Sequence, residues 1–422
     1  MFRQTLLENS SPLLPKPCSH GRIHLGGSMK RSYTFQLANI NGLYSVFFMP
    51  VFAYTTVYLL NLGLNNSQIG ILLASANLVA VVAQPLVASL ADRRVRTHKT
   101  LLLIHILIIC LQCAFLLFVP LPIYLHAVIF AANIVLLYSM QPLVNSMAVD
   151  LMARGGNINF GIARAASSLY YSVATLLFGS VLVRYGMFMV PGSMLLFGAL
   201  FFLALYFFRP TLDPPHEYQE SEDLQTRFFS RYPIFIPVLI GIVGIYFNYS
   251  IFNNYAIHIV RNLGGNSSQL GIALAISAFS EIPAMLSFNY LLRRFGATRL
   301  FQFSSVFYGV KMLLVMLSGS IPMLYLAQTT QALSFGIYST SSVYFVAGMM
   351  NPNDRSKGQA FITSAATLGN VLAALLGGVF LDLYSVRFMM IIAITVSAVG
   401  AALILGATGV RLRAKLPRGL GR

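Results

Sequence analysis

The chain has 422 residues, 57% of them hydrophobic and only 9% charged, with a formal net charge of +17. A typical soluble domain carries about 25% charged residues and a single core stops growing near ~250–300 residues, so one soluble core is excluded. Apolar runs of the ~20 residues needed to cross a ~30 Å hydrocarbon layer recur along the whole sequence, as in a polytopic helical membrane protein.

Residues 1–28 hold no sustained apolar core and make a poor signal peptide. Either Met29 is the true start or these residues are disordered, and 1–29 are set apart as an N-terminal extension. Apolar runs between breaker clusters then predict spans at 35–60, 67–90, 100–119, 122–150, 158–184 and 187–208. A polar stretch, RPTLDPPHEYQESEDLQTRFFSR, occupies 209–231. Six more spans follow at 232–260, 267–291, 298–318, 322–350, 357–383 and 386–410, and the basic tail 411–422 closes the chain. The expected organisation is thus a six-helix bundle over 30–208, a linker, and a second six-helix bundle over 232–410. Cys110 and Cys113 form a CxxC inside the unbroken apolar run LLLIHILIICLQCAFLLF, where buried thiols are expected rather than a metal or redox pair.

The charges sort onto alternate loops. Lys30, Arg31, Arg93, Arg94, Arg96, Lys99, Arg154, the linker, Arg293, Arg294, Arg299, Arg355, Lys357 and the tail fall on one side. The opposite loops carry Arg184, Arg261 and Arg387. Excess Lys/Arg marks the cytoplasmic face, so both termini and the linker are expected inside the cell membrane. The net charge is an orientation signal and implies no nucleic acid.

The two halves repeat. NLGLNNSQIGILLA (61–74) and NLGGNSSQLGIALA (262–275) align without gaps, ten of fourteen positions identical, each between the first and second span of its half. FGIARAASSLYYSVATLLFG (160–179) corresponds more loosely to GQAFITSAATLGNVLAALLGG (358–378). Parallel six-span repeats are one layout of secondary transporters, with the substrate site near the midplane between halves. Over residues 30–410 the chain resembles a major facilitator superfamily transporter. LADRRVRTHK is similar to that family's loop after the second span at Asp92, Arg93 and Arg96, a loop that acts in conformational change, but departs from it at Ala88 and Val95. Three further stretches resemble the branch containing lactose permease and the phenylpropionate and nucleoside permeases. FGIARAASSLYYS places Arg164 on its fifth-span arginine, SEIPAMLSFNYLLRRFG places Glu281 on its eighth-span carboxylate, and FSSVFYGVKMLLVM places Lys311 where an arginine usually stands.

An ionised side chain at the bilayer centre costs on the order of 2.5–3.5 kcal/mol on insertion scales. Arg164, Glu281 and Lys311 are therefore functional candidates by their position alone. Glu281 lies about 20 Å along its span and Lys311 is similarly deep in the next, antiparallel one, so the pair is expected to meet and to serve as the proton-coupling site. The plainer alternative is a structural ion pair, though a buried pair is weak evidence for stability. Arg164 is expected nearer the linker side, about 10 Å in, on one face with Ser168 and Tyr171. The resemblance places Tyr171 where sugar-transporting relatives stack an aromatic ring on the substrate. Tyr138, Gln141 and Asn145 share a face of the fourth span; Gln328, Gln331, Ser334 and Tyr338 roughly share one on the tenth; Asn248 and Asn253 lie on the seventh. Singly, each is better read as an interhelical hydrogen bond worth ~0.6 kcal/mol; together they suggest a hydrated substrate site lined by Arg164, Tyr171, Asn145, Gln141, Asn248, Gln331 and Ser334.

The sugar carriers' acid on helix 4 is replaced by Asn145 or Ser146, and their helix-10 histidine by Ser334. Two buried cations against one carboxylate leave one positive charge, which a monoanionic substrate such as an aromatic carboxylate would neutralise. The expected function is proton-coupled symport of a sugar, nucleoside or aromatic carboxylate by alternating access. Proton-antiport efflux and a non-transporting sensor of the same fold are the alternatives. An enzyme is disfavoured: HEYQE (216–220) lacks a second histidine, and no metal or cofactor is expected. The expected partners are the substrate, protons and the bilayer, with the chain acting as a monomer.

Overall fold

The computed structural model describes residues 33–92, 95–153, 160–208, 228–351 and 354–414. The extension 1–29, Arg93, most of the linker and the last eight residues lie outside these. The described residues are all-α. In the first half the helices are α1 (Thr34–Asn61), α2 (Asn66–Asp92), α3 (Val95–Phe118), α4 (Ile123–Ala153), α5 (Phe160–Tyr185) and α6 (Met189–Phe207). A four-residue helix, α7 (Phe228–Arg231), precedes α8 (Phe235–Asn262), α9 (Ser267–Leu286), α10 (Phe288–Phe295) and α11 (Ala297–Leu317). The chain ends with α12 (Ile321–Thr329), α13 (Phe335–Met349), α14 (Arg355–Leu383) and α15 (Val386–Ala414).

Among the described residues eleven helices are long and apolar enough to cross a membrane. The tenth predicted span, read from sequence as continuous over 322–350, is broken. It runs through α12, a 3₁₀ turn at Thr330–Ala332, and α13, with Ser334 outside helical geometry at φ −88° and ψ −93°. The span predicted at 267–291 is also interrupted, at Ser287, where α9 gives way to the short α10. Gly296, at φ 78°, then turns the chain into α11, a conformation that side chains with a Cβ rarely adopt.

Two of the repeat's polar identities, Asn65/Asn266 and Gln68/Gln269, are helix caps. Asn65 Oδ1 accepts from the Gln68 backbone N–H at 2.8 Å, and Gln68 Oε1 accepts from the Asn65 N–H at 2.9 Å. In the second half Asn266 Oδ1 accepts from the Ser268 N–H and Gln269 Oε1 from the Asn266 N–H. Both pairs satisfy the orphan amides that open a helix. Gly63 and Gly264, at φ 96° and 79°, end the preceding helices one turn earlier.

Helices of the two halves meet at α2–α14 and α5–α9, on the side away from the linker (the far face). Glycines permit it. A Cβ on Gly70 would lie 2.4 Å from the Ala374 carbonyl oxygen, and one on Gly378 would lie 2.2 Å from that of Asn66. At the other crossing, a Cβ on Gly271 would lie 2.4 Å from the Thr175 oxygen and one on Gly179 2.4 Å from that of Ser267. Each crossing is braced by a buried tyrosine: Tyr255 donates to Ala374 O at 2.5 Å and Tyr54 to Thr175 O at 3.2 Å. At the rim, Asp382 accepts from the Asn66 side chain at 2.8 Å and the Ser67 N–H at 2.7 Å, while Ser180 and Ser268 pair at 2.9 Å.

On the linker side, Lys99 donates to the carbonyls of Tyr206 and Phe208, satisfying the end of α6. Arg231 and Tyr232 both donate to Asp354 Oδ2, at 2.9 and 2.8 Å, clasping α7 to the start of α14. The Tyr232 hydroxyl, then the Arg231 guanidinium, hold the Asp354 carboxyl below the usual carboxylate range. An acid so depressed stabilises the fold above its unfolded pKa of about 3.9 and loses that contribution as pH falls through its folded value. Acidification through that window is expected to lower the melting temperature of the wild type modestly more than that of Asp354→Asn. Thermal unfolding in detergent reads this, and equal decreases would remove the clasp from the account.

Candidate functional site

Glu281 and Lys311 are both buried, at 8% and 7% exposure. They do not pair directly. Glu281 lies about 21 Å from the Ser267 end of α9, and Lys311 about 9 Å from the Leu317 end of α11, counted along helices rising 1.5 Å per residue. Both ends face the far side, so the two side chains enter at different depths. Gln331 joins them. Its Nε2 donates to Glu281 Oε1 at 3.0 Å, while Lys311 Nζ donates to its Oε1 at 2.5 Å. Lys311 also donates to Ser277 Oγ at 3.4 Å and lies 4.7 Å from the centre of the Phe252 ring, within the ~6 Å range of a cation–π contact. The broken tenth span is what delivers Gln331 to this point.

Glu281 also reaches across to the first half, accepting from Ser168 Oγ at 3.4 Å. Arg164, one turn earlier on α5, is exposed and near enough for its charge to interact with that of Glu281. Tyr171, one turn later, is half-buried with its hydroxyl unpartnered and its ring edge-on to Phe52 at 6.2 Å. The face predicted for Arg164, Ser168 and Tyr171 thus looks toward Glu281.

The other candidates divide. Asn248 donates to Tyr308 O at 2.7 Å and leaves its Oδ1 buried and unpartnered; it lines a cavity with Lys311, Phe252 and Tyr249, about 240 Å³ of empty space. Gln141 and Asn145 are exposed on α4. Ser334 bonds only to carbonyls of its own turn, Thr330 and Gln331, and reaches no charged group. The side chains of Asp92 and Arg96, and all of Arg93, lie outside the described residues.

A polar bridge that single-helix stripes do not reveal also links the halves. Asn254 donates to Asn370 Oδ1 at 3.3 Å, Asn370 donates to Asn77 Oδ1 at 3.1 Å, and Thr56 donates to the Asn254 carbonyl. Asn77, Asn254 and Thr56 line a second pocket. Cys110 and Cys113 are free thiols; Cys113 is buried, its sulfur contacting Met194 Sδ at 3.8 Å. Among the described residues no cluster of His, Cys, Asp or Glu could hold a metal.

The chain matches a family model, the MFS_1 like family, over residues 37–392. The chain belongs to that family. This transporter also has solved structural neighbours. The nucleoside transporter NupG superposes with a TM-score of 0.68 at 16% identity, covering 89% of this chain and 98% of that one. A bacterial homologue of the human lysosomal transporter Spinster, inward-facing and occupied, gives 0.67 at 15% identity, covering 93% and 100%. The peptide transporter POT gives 0.67 at 13%, covering 90% and 93%. At such identities the likeness is one of fold. No individually curated protein sequence matches the chain. The transporter is a multi-pass membrane protein, and its family's work is transport, not catalysis.

Proposed function

We propose that the transporter is a proton-coupled symporter of a small organic solute, acting as a monomer in the cell membrane with both termini and the linker in the cytoplasm. The Lys/Arg excess on the linker side supports that orientation. The bundles 30–208 and 232–410 rock about the centre, and the crossings that close the far face correspond to the phase in which the site opens toward the cytoplasm.

One observation carries the reading: a buried carboxylate, Glu281, joined to a buried ammonium and touching Ser168 of the opposite half. A carboxylate in this setting binds and releases a proton according to how close its cationic neighbours stand and how dry the site is. Both change when the halves move. A silent scaffold has no need of so costly a group.

The substrate is a sugar, a nucleoside or an aromatic carboxylate. Arg164 and Lys311 against Glu281 leave one positive charge beside the rings of Tyr171, Tyr249 and Phe252, which favours a planar monoanion. Binding to the purified protein, with the three classes compared side by side, tests this; preference for a neutral hexose would reject the aromatic carboxylate. Arg164→Lys is expected to weaken uptake by about tenfold, because a planar fork that grips a carboxylate with two bonds becomes a point charge. Unchanged uptake kinetics would remove Arg164 from the site.

A further inference from the structure

We propose that Gln331 is the positioning residue through which Glu281 and Lys311 act as one unit, and that it ties their charge state to the break in the tenth span. The inference rests on the reading of Glu281 as the proton site.

A primary amide has two unlike ends, a carbonyl that only accepts and an NH₂ that only donates. Gln331 turns its Oε1 to the ammonium and its Nε2 to the carboxylate. Bonds to ionised partners are roughly twice as strong as neutral ones, so this orientation is held most firmly when both groups are charged. Protonation of Glu281 makes a pure acceptor into a group that also donates, and it removes the counter-charge of Lys311 in the same event. Among the described residues the amide is the one side chain hydrogen-bonded to both groups, so it meets both changes.

Its backbone is placed to respond. Gln331 sits in the middle of the 3₁₀ turn, where α12 has ended and α13 has not begun. The start of α13 lies directly against α9: a Cβ on Gly336 would be 3.5 Å from Glu281 Cα and 3.3 Å from Ala284 Cβ. Movement of the Gln331 side chain therefore acts on a main-chain segment with few helical bonds to resist it. The charged and titratable groups facing Glu281 are Arg164 and Tyr171 from α5, Tyr246 and Tyr249 from α8, and Tyr308 and Lys311 from α11. The described helices α1, α12 and α13 carry no Asp, Glu, Lys or Arg.

Infrared titration of the full chain in liposomes tests the proposal without a substrate. The Glu281 carboxyl band is identified as the pH-dependent band absent from Glu281→Gln. Gln331→Met keeps the side-chain length and deletes both amide ends, and it is expected to displace the midpoint of that band by about one pH unit, a tenfold change in proton affinity. Gln331→Asn, too short to span both partners, is expected to do the same and serves if the Met variant does not insert. The chain contains no tryptophan, so Phe335→Trp places a sole reporter beside the break. Its fluorescence is expected to change at the wild-type midpoint and to shift with it in Gln331→Met. An unmoved infrared midpoint overturns the role of Gln331 and leaves the proton site standing. A reporter indifferent to pH overturns the tie to the helix break. No band lost in Glu281→Gln overturns the proton-site reading, and this inference with it.

Discussion

Replacing Glu281 with Gln abolishes accumulation driven by a pH gradient and leaves substrate-for-substrate exchange measurable. The Gln carbonyl still accepts from Gln331 and from Ser168, so the local hydrogen bonds survive while the titratable proton is lost. With one proton per substrate, a gradient of one pH unit corresponds to ~1.4 kcal/mol and supports about tenfold accumulation; in the variant the ratio falls to one. Counterflow needs no net proton movement and persists. The measurement is uptake into proteoliposomes with and without an imposed gradient, using the compound that the binding screen selects. Full accumulation by the variant would remove Glu281 from coupling. Loss of counterflow as well would assign it to substrate binding.

Substituting Ala for both Gly70 and Gly271 is expected to stop the far face from closing. The added Cβ atoms meet main-chain carbonyls 2.4 Å away, and backbone cannot swing aside as a flexible side chain would. Overpacking of a close contact costs about 1–3 kcal/mol per site. Two sites together, at about 2 kcal/mol or more, shift an open–closed equilibrium by about thirtyfold or more. Neither glycine touches Glu281, Gln331 or Lys311, so binding persists while net transport falls steeply. A cysteine introduced at Phe52, which lines the second pocket, is expected to react several-fold faster with an impermeant maleimide supplied from the far side. An unchanged rate in the double variant would show that these crossings do not govern access.

Most spans and the matching helix starts of the repeat were legible because each is dictated locally: a hydrocarbon layer demands about 20 apolar residues, and a helix start demands a cap such as Asn65 or Asn266. The break in the tenth span was not. AQTTQALS contains neither Pro nor Gly, so no local breaker marks the place where the helix is interrupted. The backbone leaves helical geometry at Ser334 itself, at φ −88° and ψ −93°, so the face that a continuous helix would present does not carry through it. Ser334, chosen from sequence as the counterpart of a histidine, therefore bonds its own backbone while Gln331 meets the charges. Glu281 and Lys311 were found because a charge in an apolar run is conspicuous. Asn77, Asn254 and Asn370 were not, since one amide per helix resembles ordinary interhelical bonding until three helices are seen together.

The rim of the far face carries a further consequence. The two crossings share their glycines and tyrosines but are fastened differently at the edge: α2–α14 by the carboxylate of Asp382, α5–α9 by the neutral Ser180–Ser268 pair. Hydrogen bonds to a charged group contribute about 1.5–3 kcal/mol, neutral ones about 0.5–1.5 kcal/mol. A near-symmetric molecule thus has a latch on one edge and a loose seam on the other. On these energies the serine edge is the weaker of the two rim contacts.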